Sequence, residues 1–199
     1  GPNVLVVPAA SPYKTVADVM AAAKASPDKL TYASQGAGTS AHLAGELFAN
    51  LAKVRLTHVP YRGAGPALTD LMGGQVDMMF ATAAGVSTFI DNGKLRVLGV
   101  TTAEPSAAFK NVPPIAVTVP GYRVESWYGL YAPAATPAAV IDRLNAAARK
   151  AARSPEFVRK LEHEGLMVNA GPAAELDTYV QAEEKRWAQI VRQNNIHPD

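Results

Sequence analysis

The sequence predicts an α/β protein with a mainly parallel sheet and a helical last third. Three observations carry that prediction. Short apolar runs alternate with segments of 3.6-residue apolar spacing through residues 4–101. Glycine-rich stretches, Gly36-Ala37-Gly38 and Gly63-Ala64-Gly65, stand where two of those runs hand over to helix-like segments. Beyond residue 136 only helical spacing remains. Four successive strand–helix units of this kind argue parallel strands with helices on both faces.

The elements follow in order. Val4–Val7 is a continuous apolar run bounded by Pro8 and Pro12, and reads as a strand. Thr15 caps a helix carrying Val16, Val19, Met20 and Ala23. Ser26-Pro27 ends it, because the residue before a proline is pushed out of the helical region. Leu30–Ser34 reads as a strand, Gly36–Gly38 as a tight loop, and Leu43, Leu47, Phe48 and Leu51 as the buried stripe of a helix. Arg55–Pro60 is the next strand, and the short helix after Gly63 has Pro66 in its first turn, where a missing N–H costs nothing. Val76–Phe80 is a strand, Ala81–Gly85 a loop, Val86–Asp91 a short helix stopped near Gly93, and Leu95–Thr101 a strand. Residues 103–126, rich in Pro and Ala, read as an irregular crossing, and Trp127–Ala132 as a further strand. Three helices close the chain. The first opens at Thr136-Pro137 with Val140, Ile141, Leu144 and Ala148 on one face, and the second runs from Ser154-Pro155-Glu156 to Gly165. The last opens at Gly171-Pro172 and carries Leu176, Val180, Glu183, Trp187, Ile190 and Val191. Each is expected to start with Pro at its first helical position.

Composition narrows the function classes. Of the 199 residues, 48% are apolar, and a chain of this size buries about 70% of its unfolded surface. The 19 Lys+Arg against 17 Asp+Glu leave a net charge of +2, which is no footprint for a nucleic acid. The absence of cysteine excludes disulfides, Cys-based zinc sites and thiol nucleophiles. No stretch reaches eighteen uninterrupted apolar residues, so no membrane-spanning helix is predicted. The start at Gly1-Pro2-Asn3 lacks Met and any signal-type segment. A processed or truncated chain is expected, with Gly1-Pro2 as a cleavage scar.

The sharpest candidate site is Ser34-Gln35-Gly36-Ala37-Gly38-Thr39-Ser40-Ala41-His42, between a strand and an apolar helix. Such a unit aims unpaired backbone N–H groups and a positive helix end at one point, and Thr39 and Ser40 add hydroxyl donors. It suits a carboxylate or phosphate; the alternative is a helix start whose glycines only make the turn. Gly36, Gly38 and Ala41 also fit a dinucleotide fingerprint. That reading needs an acidic residue after the next strand, and Leu56–Arg62 has none. No Lys follows the glycines, so a Walker A loop is excluded. The second loop, Pro60-Tyr61-Arg62-Gly63-Ala64-Gly65-Pro66, repeats the geometry one unit later. Both loops and Ala81–Gly85 should lie beyond the carboxyl ends of the strands, where ligands bind in open α/β sheets. Arg62 is read as a solvated side chain, with a counter-charge role as the alternative, and Tyr61 either packs on the body or lines the cleft.

Catalytic constellations are missing. Ser40 and His42 stand two apart at a helix start and do not face each other. The histidines at 42, 58, 163 and 197 show no metal-ligand spacing. His42 and Glu46 share a helix face and suit a structural hydrogen bond, and His163 reads as exposed. Asp70 and Asp77, flanking Gly73-Gly74, read as solvated residues at the element ends.

These residues carry a resemblance. The run Leu30-Thr-Tyr-Ala-Ser-Gln-Gly-Ala-Gly-Thr-Ser-Ala-His-Leu-Ala-Gly-Glu-Leu-Phe48 is similar to the Bug (TctC-like) family, the solute-binding proteins of tripartite tricarboxylate transporters. So are His58-Val-Pro-Tyr-Arg-Gly-Ala-Gly-Pro-Ala-Leu-Thr-Asp-Leu-Met-Gly-Gly-Gln-Val-Asp-Met-Met-Phe80 and Ser126-Trp-Tyr-Gly-Leu-Tyr-Ala-Pro-Ala-Ala-Thr-Pro137. The resemblance covers essentially the whole chain.

It implies a periplasmic binding protein of the type II kind, not an enzyme, with two α/β lobes that close on a small organic carboxylate. No cofactor, metal or nucleic acid is implied; the partners are the carboxylate and the membrane subunits of the transporter. Residues 1–7 would be a hinge strand, 8–122 the complete ligand-binding lobe, and 123–199 hinge and C-terminal part of the first lobe. The ligand loop corresponds to Gly36, Ala37, Gly38, Thr39 and Ser40, with Gly63 and Ala64 flanking it and Ala81 and Thr82 as the third wall. Two departures stand out. Family members carry a segment ahead of the equivalent of Asn3 that supplies most of the first lobe and its own glycine-rich loop. Many relatives also have Asp-Asn where this chain has Ala81-Thr82. The helices at 137–152 and 172–195 would then lack their usual partner, so they are expected to repack within the chain or against a second copy, as a homodimer or swapped assembly. Two other functions stay open on the residues: an NAD(P)-linked enzyme domain using the Gly36 loop, and an interaction module with an incomplete cleft.

Overall fold

In the computed structural model, which describes residues 1–163 and 165–193, the first apolar run becomes β1 (Asn3–Pro8). Its side chains are buried on both faces because β1 lies inside a five-stranded sheet. The other strands are β2 (Thr31–Ser34), β3 (Thr57–Pro60), β4 (Met78–Thr82) and β5 (Leu95–Val100), in the spatial order β3-β2-β4-β1-β5. β2 pairs parallel with β3 and β4, whereas β1 pairs antiparallel with β4 and β5. Four strands therefore point one way and β1 alone runs against them. The mainly parallel sheet is present with one strand reversed. Apolar spacing is blind to that reversal, because a strand buried on both faces reads alike in either direction.

Alternate strand residues feed two apolar clusters. Leu5, Val7, Tyr32, Met78 and Phe80 pack under α1 (Val16–Ala25), α2 (Ser40–Ala52) and the end of the last helix. Val4, Val6, Ala33, Met79 and Ala81 pack under α3 (Ala64–Met72) and α4 (Ala83–Asp91). Helices therefore cover both faces. The expected loop at Ala81–Gly85 is absent: β4 continues to Thr82, paired with Asn3, and α4 begins at once with Ala83. No Pro stands between Phe80 and Val86 to interrupt either element, and the antiparallel ladder with β1 extends the strand.

The C-terminal third holds α5 (Ala138–Ala152), α6 (Pro155–His163) and α7 (Ala173–Gln193). Pro155 takes the first helical position, while Pro137 and Pro172 stand one residue ahead of it. α7 docks Trp187, Ile190 and Val191 on the core beside α2. α5 buries no residue, and Val140, Leu144 and Phe157 stay exposed. Packing within the chain therefore holds for α7 and not for α5. Trp127–Ala132 is not a strand. A single bridge joins Pro2 to Glu125, and beyond it Tyr128 (78% exposed), Leu130 (76%) and Tyr131 (61%) find no ladder among the described residues. A β-prone run becomes a strand only where a pleated neighbour receives it. The expected exposure of His163 and the position of His197 lie outside the described residues. Among those residues no helix is long and apolar enough to cross a membrane.

Strand direction decides where each helix starts. α2, α3 and α4 follow β2, β3 and β4 at one edge of the sheet, whereas α1 follows the reversed β1 and starts at the opposite edge. α1 carries a full capping box: Thr15 Oγ1 accepts from Asp18 N at 3.1 Å, and Asp18 Oδ2 accepts from Thr15 N at 2.9 Å. The Lys14 N–H bond, then the Thr15 bonds, hold the Asp18 carboxyl below its ordinary 3.8. A depressed carboxyl contributes stability above its unfolded value and loses it as pH falls through the folded one. Asp18→Asn is therefore expected to melt earlier than wild type at pH 7, with the two curves converging below pH 3.8. Melting both proteins across that range checks it; a gap that stays constant would contradict it.

Candidate ligand-binding site

The Gly36–Ser40 loop is shaped by two glycines in the left-handed region, Gly36 (φ 135°) and Gly38 (φ 76°). Gly36 O accepts from Thr39 N at 3.3 Å and from Thr39 Oγ1 at 2.7 Å, so the loop closes on itself. The Thr39 hydroxyl proton is thus committed inside the loop, which departs from its expected role as a donor to a ligand. Gly63 (φ 107°) donates its N–H to Gln35 O at 3.3 Å, tying the second glycine loop to the first. The two loops expected to share an edge do so.

Three helix N-termini stand on that edge, above the adjacent strands β3, β2 and β4. Thr39, Gly63 and Thr82 are the residues that precede α2, α3 and α4, and none makes a side-chain cap. First-turn N–H groups have no acceptor within their own helix. The aligned peptide dipoles add partial positive charge at the same place. The contrast with the capped α1 on the other edge makes this one the anion-attracting side of the sheet.

An open pocket of about 260 Å³ lies there, lined by Ser40 and Leu43 of α2, Thr82, the segment Val124–Tyr128, and Trp187 of α7. Of the residues singled out from sequence, Ser40 and Thr82 line it. Gly36, Ala37, Gly38 and Thr39 form the loop leading into Ser40; Gly63 and Ala64 sit beside them at the start of α3, and Ala81 is buried in β4. The Val124–Tyr128 wall and Trp187 are additions: Ser126–Tyr128 belongs to a run that carries the family resemblance, but no local pattern marks it or Trp187 as pocket lining. Trp127 was part of an expected strand, and Trp187 of an apolar helical stripe. Among the described residues the one carboxylate in the lining is Glu125, and it is held by Arg123 Nε at 2.8 Å, which offsets its charge toward an anion.

The segment forming that wall lies against the chain start. Ser126 N donates to Gly1 O at 3.0 Å, Ser126 Oγ to Asn3 Oδ1 at 2.6 Å, and Val124 N to Thr101 O at 2.9 Å. Two stretches distant in sequence thus run side by side past the pocket.

Other expectations meet definite partners. Asp70 and Asp77 are not simply solvated. Asp70 Oδ2 accepts from Tyr61 Oη at 2.7 Å, and Asp77 Oδ2 accepts from Thr31 N at 2.8 Å and Thr31 Oγ1 at 2.9 Å. Tyr61 packs on the body, and burial, with the Asp70 bond second, pushes its phenol up to about 12. Arg62 is exposed, in line with its solvated reading. His42 Nε2 stands 3.8 Å from Glu46 Oε1, too far for the expected hydrogen bond. Glu46 accepts instead from Tyr32 Oη at 2.6 Å. No group of three His, Cys, Asp or Glu side chains that could hold a metal occurs among the described residues.

The fold is that of solved periplasmic solute-binding proteins. Rpa4515 of R. palustris, solved with adipate, superposes with a TM-score of 0.93 at 32% identity, covering 100% of this chain and 67% of that one. MatC of Rhodopseudomonas palustris, solved with bound malate, gives 0.84 at 30% identity, with 96% and 66% covered. A UPF0065 protein from the tcbD-tcbE intergenic region of Pseudomonas sp. (strain P51) is 40% identical over 192 residues, 96% of this chain and 57% of that protein. Residues 1–196 match the TctC family, described as the tripartite tricarboxylate transporter family receptor, and the chain belongs to it. That is a family of receptors, not of enzymes. The chain spans little more than half of the Pseudomonas relative and about two-thirds of the solved structures.

Proposed function

We propose that this chain is the ligand-gripping part of a periplasmic receptor that captures a small organic carboxylate for a tripartite tricarboxylate-type transporter. The observation carrying this is the edge with three adjacent helix N-termini that lack side-chain caps, two of them (at Ser40 and Thr82) lining a pocket, opposite an edge whose helix is fully capped. A carboxylate at Ser40 and Thr82 would meet the N-terminal ends of α2 and α4, where first-turn N–H groups have no acceptor within their own helix, without any side-chain cation; at α4 the Ala83 N–H is already given to Pro2 O at 3.4 Å. Gly36, Ala37, Gly38 and Thr39 would hold Ser40 in place, and Gly63 and Ala64 would flank the ligand. Residues 8–122, completed by β1, would act as one lobe. The paired stretches Gly1–Asn3 and Val124–Ser126 would form the hinge, and 127–199 would belong to the opposing lobe. Closure would follow from the ligand binding the closed arrangement more tightly. Solved relatives carrying adipate and malate support the ligand class.

The test is a thermal-shift series with adipate, malate, citrate, benzoate and NADP, on this chain and on a chain extended at its N-terminus to the length of its relatives. Ligand at about 100 times its dissociation constant adds roughly 2.7 kcal/mol. At about 2–4 °C per kcal/mol for this size, the expected shift is roughly 5–11 °C for a fitting carboxylate and none for NADP. A shift with NADP alone, or with no carboxylate in either protein, would overturn the reading.

A further inference from the structure

The Gly36–Ser40 loop hangs from two histidine rings. Gly38 donates its N–H to His42 Nδ1 at 2.9 Å. Gly36 donates its N–H to Ser34 Oγ at 3.1 Å, and Ser34 Oγ lies 2.6 Å from His58 Nε2. The His42 and His58 rings stack face to face, centroids 3.8 Å apart and planes 6° from parallel, with His42 buried. We propose that His42, backed by His58, is a positioning residue that holds this loop in its ligand-ready shape, and that it does so only as the uncharged imidazole. The proposal rests on the carboxylate reading above.

The chemistry follows from the donor at Gly38. A ring nitrogen that accepts an N–H must present a lone pair, so the His42 proton sits on Nε2. A second proton would have to go on Nδ1, where it would face the Gly38 N–H as donor against donor. The tether would break and Gly38 would be released. The titratable groups facing the pair are Tyr32 from β2, with its ring 4.9 Å from His58; His58 itself from β3; and Glu46 from α2. A charge on one stacked ring opposes a charge on the other. Glu46 pulls the opposite way, but its Oε1 is 3.8 Å from His42 Nε2 and already accepts from Tyr32. The loop therefore stays ordered while His42 is neutral and loosens as pH falls through the imidazole range. Acidification would release the carboxylate from a receptor that holds it near neutrality.

The experiment is an NMR pH titration of the ¹⁵N-labelled chain from pH 8 to 5, for wild type, His42→Asn and His42→Leu. The Asn Oδ1 stands where Nδ1 stood and accepts at every pH. In wild type the Gly38 amide is expected to move with the midpoint of the His42 ring; in His42→Asn that movement disappears. Adipate added to the same samples is expected to bind wild type and His42→Asn alike at pH 7.5. His42→Leu should bind about fivefold or more weakly, as for the loss of one hydrogen bond of about 1 kcal/mol. At pH 5.5 wild type is expected to fall behind His42→Asn, the ligand's own protonation cancelling in the ratio. A Gly38 amide that ignores the His42 titration in wild type, or that titrates unchanged in His42→Asn, overturns the proposal. Should His42→Leu fail to fold, the Asn comparison decides. If adipate moves no resonance in any sample, the carboxylate reading fails while the Gly38 titration still decides the tether.

Discussion

Replacing Phe80 by Ala is expected to lower the unfolding midpoint by roughly 6–20 °C, since a buried Phe→Ala change costs about 3–5 kcal/mol and each kcal/mol moves a chain of this size by about 2–4 °C. Phe80 is fully buried at the centre of β4, opposite Leu5 of β1. Its ring meets Tyr32 edge-on at 6.3 Å, Phe48 at 5.7 Å and Tyr122 at 6.3 Å. The cost depends on whether neighbours can move into the cavity, and here they are tied. Tyr32 Oη is bonded to Glu46, and Tyr122 Oη donates to Ala44 O at 3.1 Å. The Tyr32 ring is also pressed by α2: a Cβ on Gly45 would come within 2.3 Å of it. Collapse is blocked on two sides, which places the expected value in the upper part of the range. Urea unfolding checks it: the midpoint should fall with little change in slope, as for a loss of stability without a change in exposed surface. A cost near 1 kcal/mol would mean that the aromatic cluster is free to relax.

What could be read from the sequence, and what could not, divides along the range of the forces involved. The caps, glycine turns and proline starts are local chemistry, so the capping box of Thr15, the glycine loop at residues 36–38 and the start at Pro155 are legible without any neighbour. The reversal of β1 is not, because direction is chosen by the strands it lies between, and a doubly buried run such as Val4–Val7 carries no sign of it. The same limit explains Trp127–Ala132. Its composition is that of a strand, but its exposed Tyr128 and Leu130 have no ladder beside them among the described residues. Polar partners differ from the expected ones where sequence spacing suggests one answer and the fold supplies another. Four-residue spacing pairs His42 with Glu46, yet the Gly38 N–H and the Tyr32 hydroxyl reach them at better geometry. Asp77 looks solvated until register brings Thr31 beside it.

For the candidate site the division is equally clear. The loop and the helix start at Ser40 can be seen in sequence because a glycine-rich strand-to-helix turn is a contiguous object. The opposing wall cannot, since Val124–Tyr128 and Trp187 join it only through the pairing with Gly1–Asn3 and the docking of α7 on α2. Thr82 is an intermediate case. It was expected in a loop and proves to be the last residue of β4, where it still reaches the pocket as the residue preceding α4.

Ser40→Asp is expected to abolish carboxylate binding while leaving the protein as stable as before, or slightly more so. Ser40 is the first helical residue of α2 and lines the pocket. A carboxylate there interacts favourably with the helix dipole, by about 0.3–1 kcal/mol, and takes first-turn N–H groups that otherwise have no acceptor in the helix. Those are the groups assigned to the ligand, so the new side chain competes for them and repels the incoming anion. Two unit charges about 4 Å apart interact by about 1 kcal/mol in water and about 4 kcal/mol under the screening typical of a protein surface. The half-buried position of Ser40 lies between these limits, so at least a tenfold loss of adipate affinity is expected. Ser40→Ala removes only the hydroxyl and should lose much less. The opposite signs make the pair of readings decisive. Thermal melting without ligand should show Ser40→Asp at or above the wild-type midpoint, and calorimetry with adipate should show binding lost. A variant that binds as wild type does would move the anion away from the α2 N-terminus. Loss of both stability and binding would mean that Ser40 serves the fold instead of the ligand.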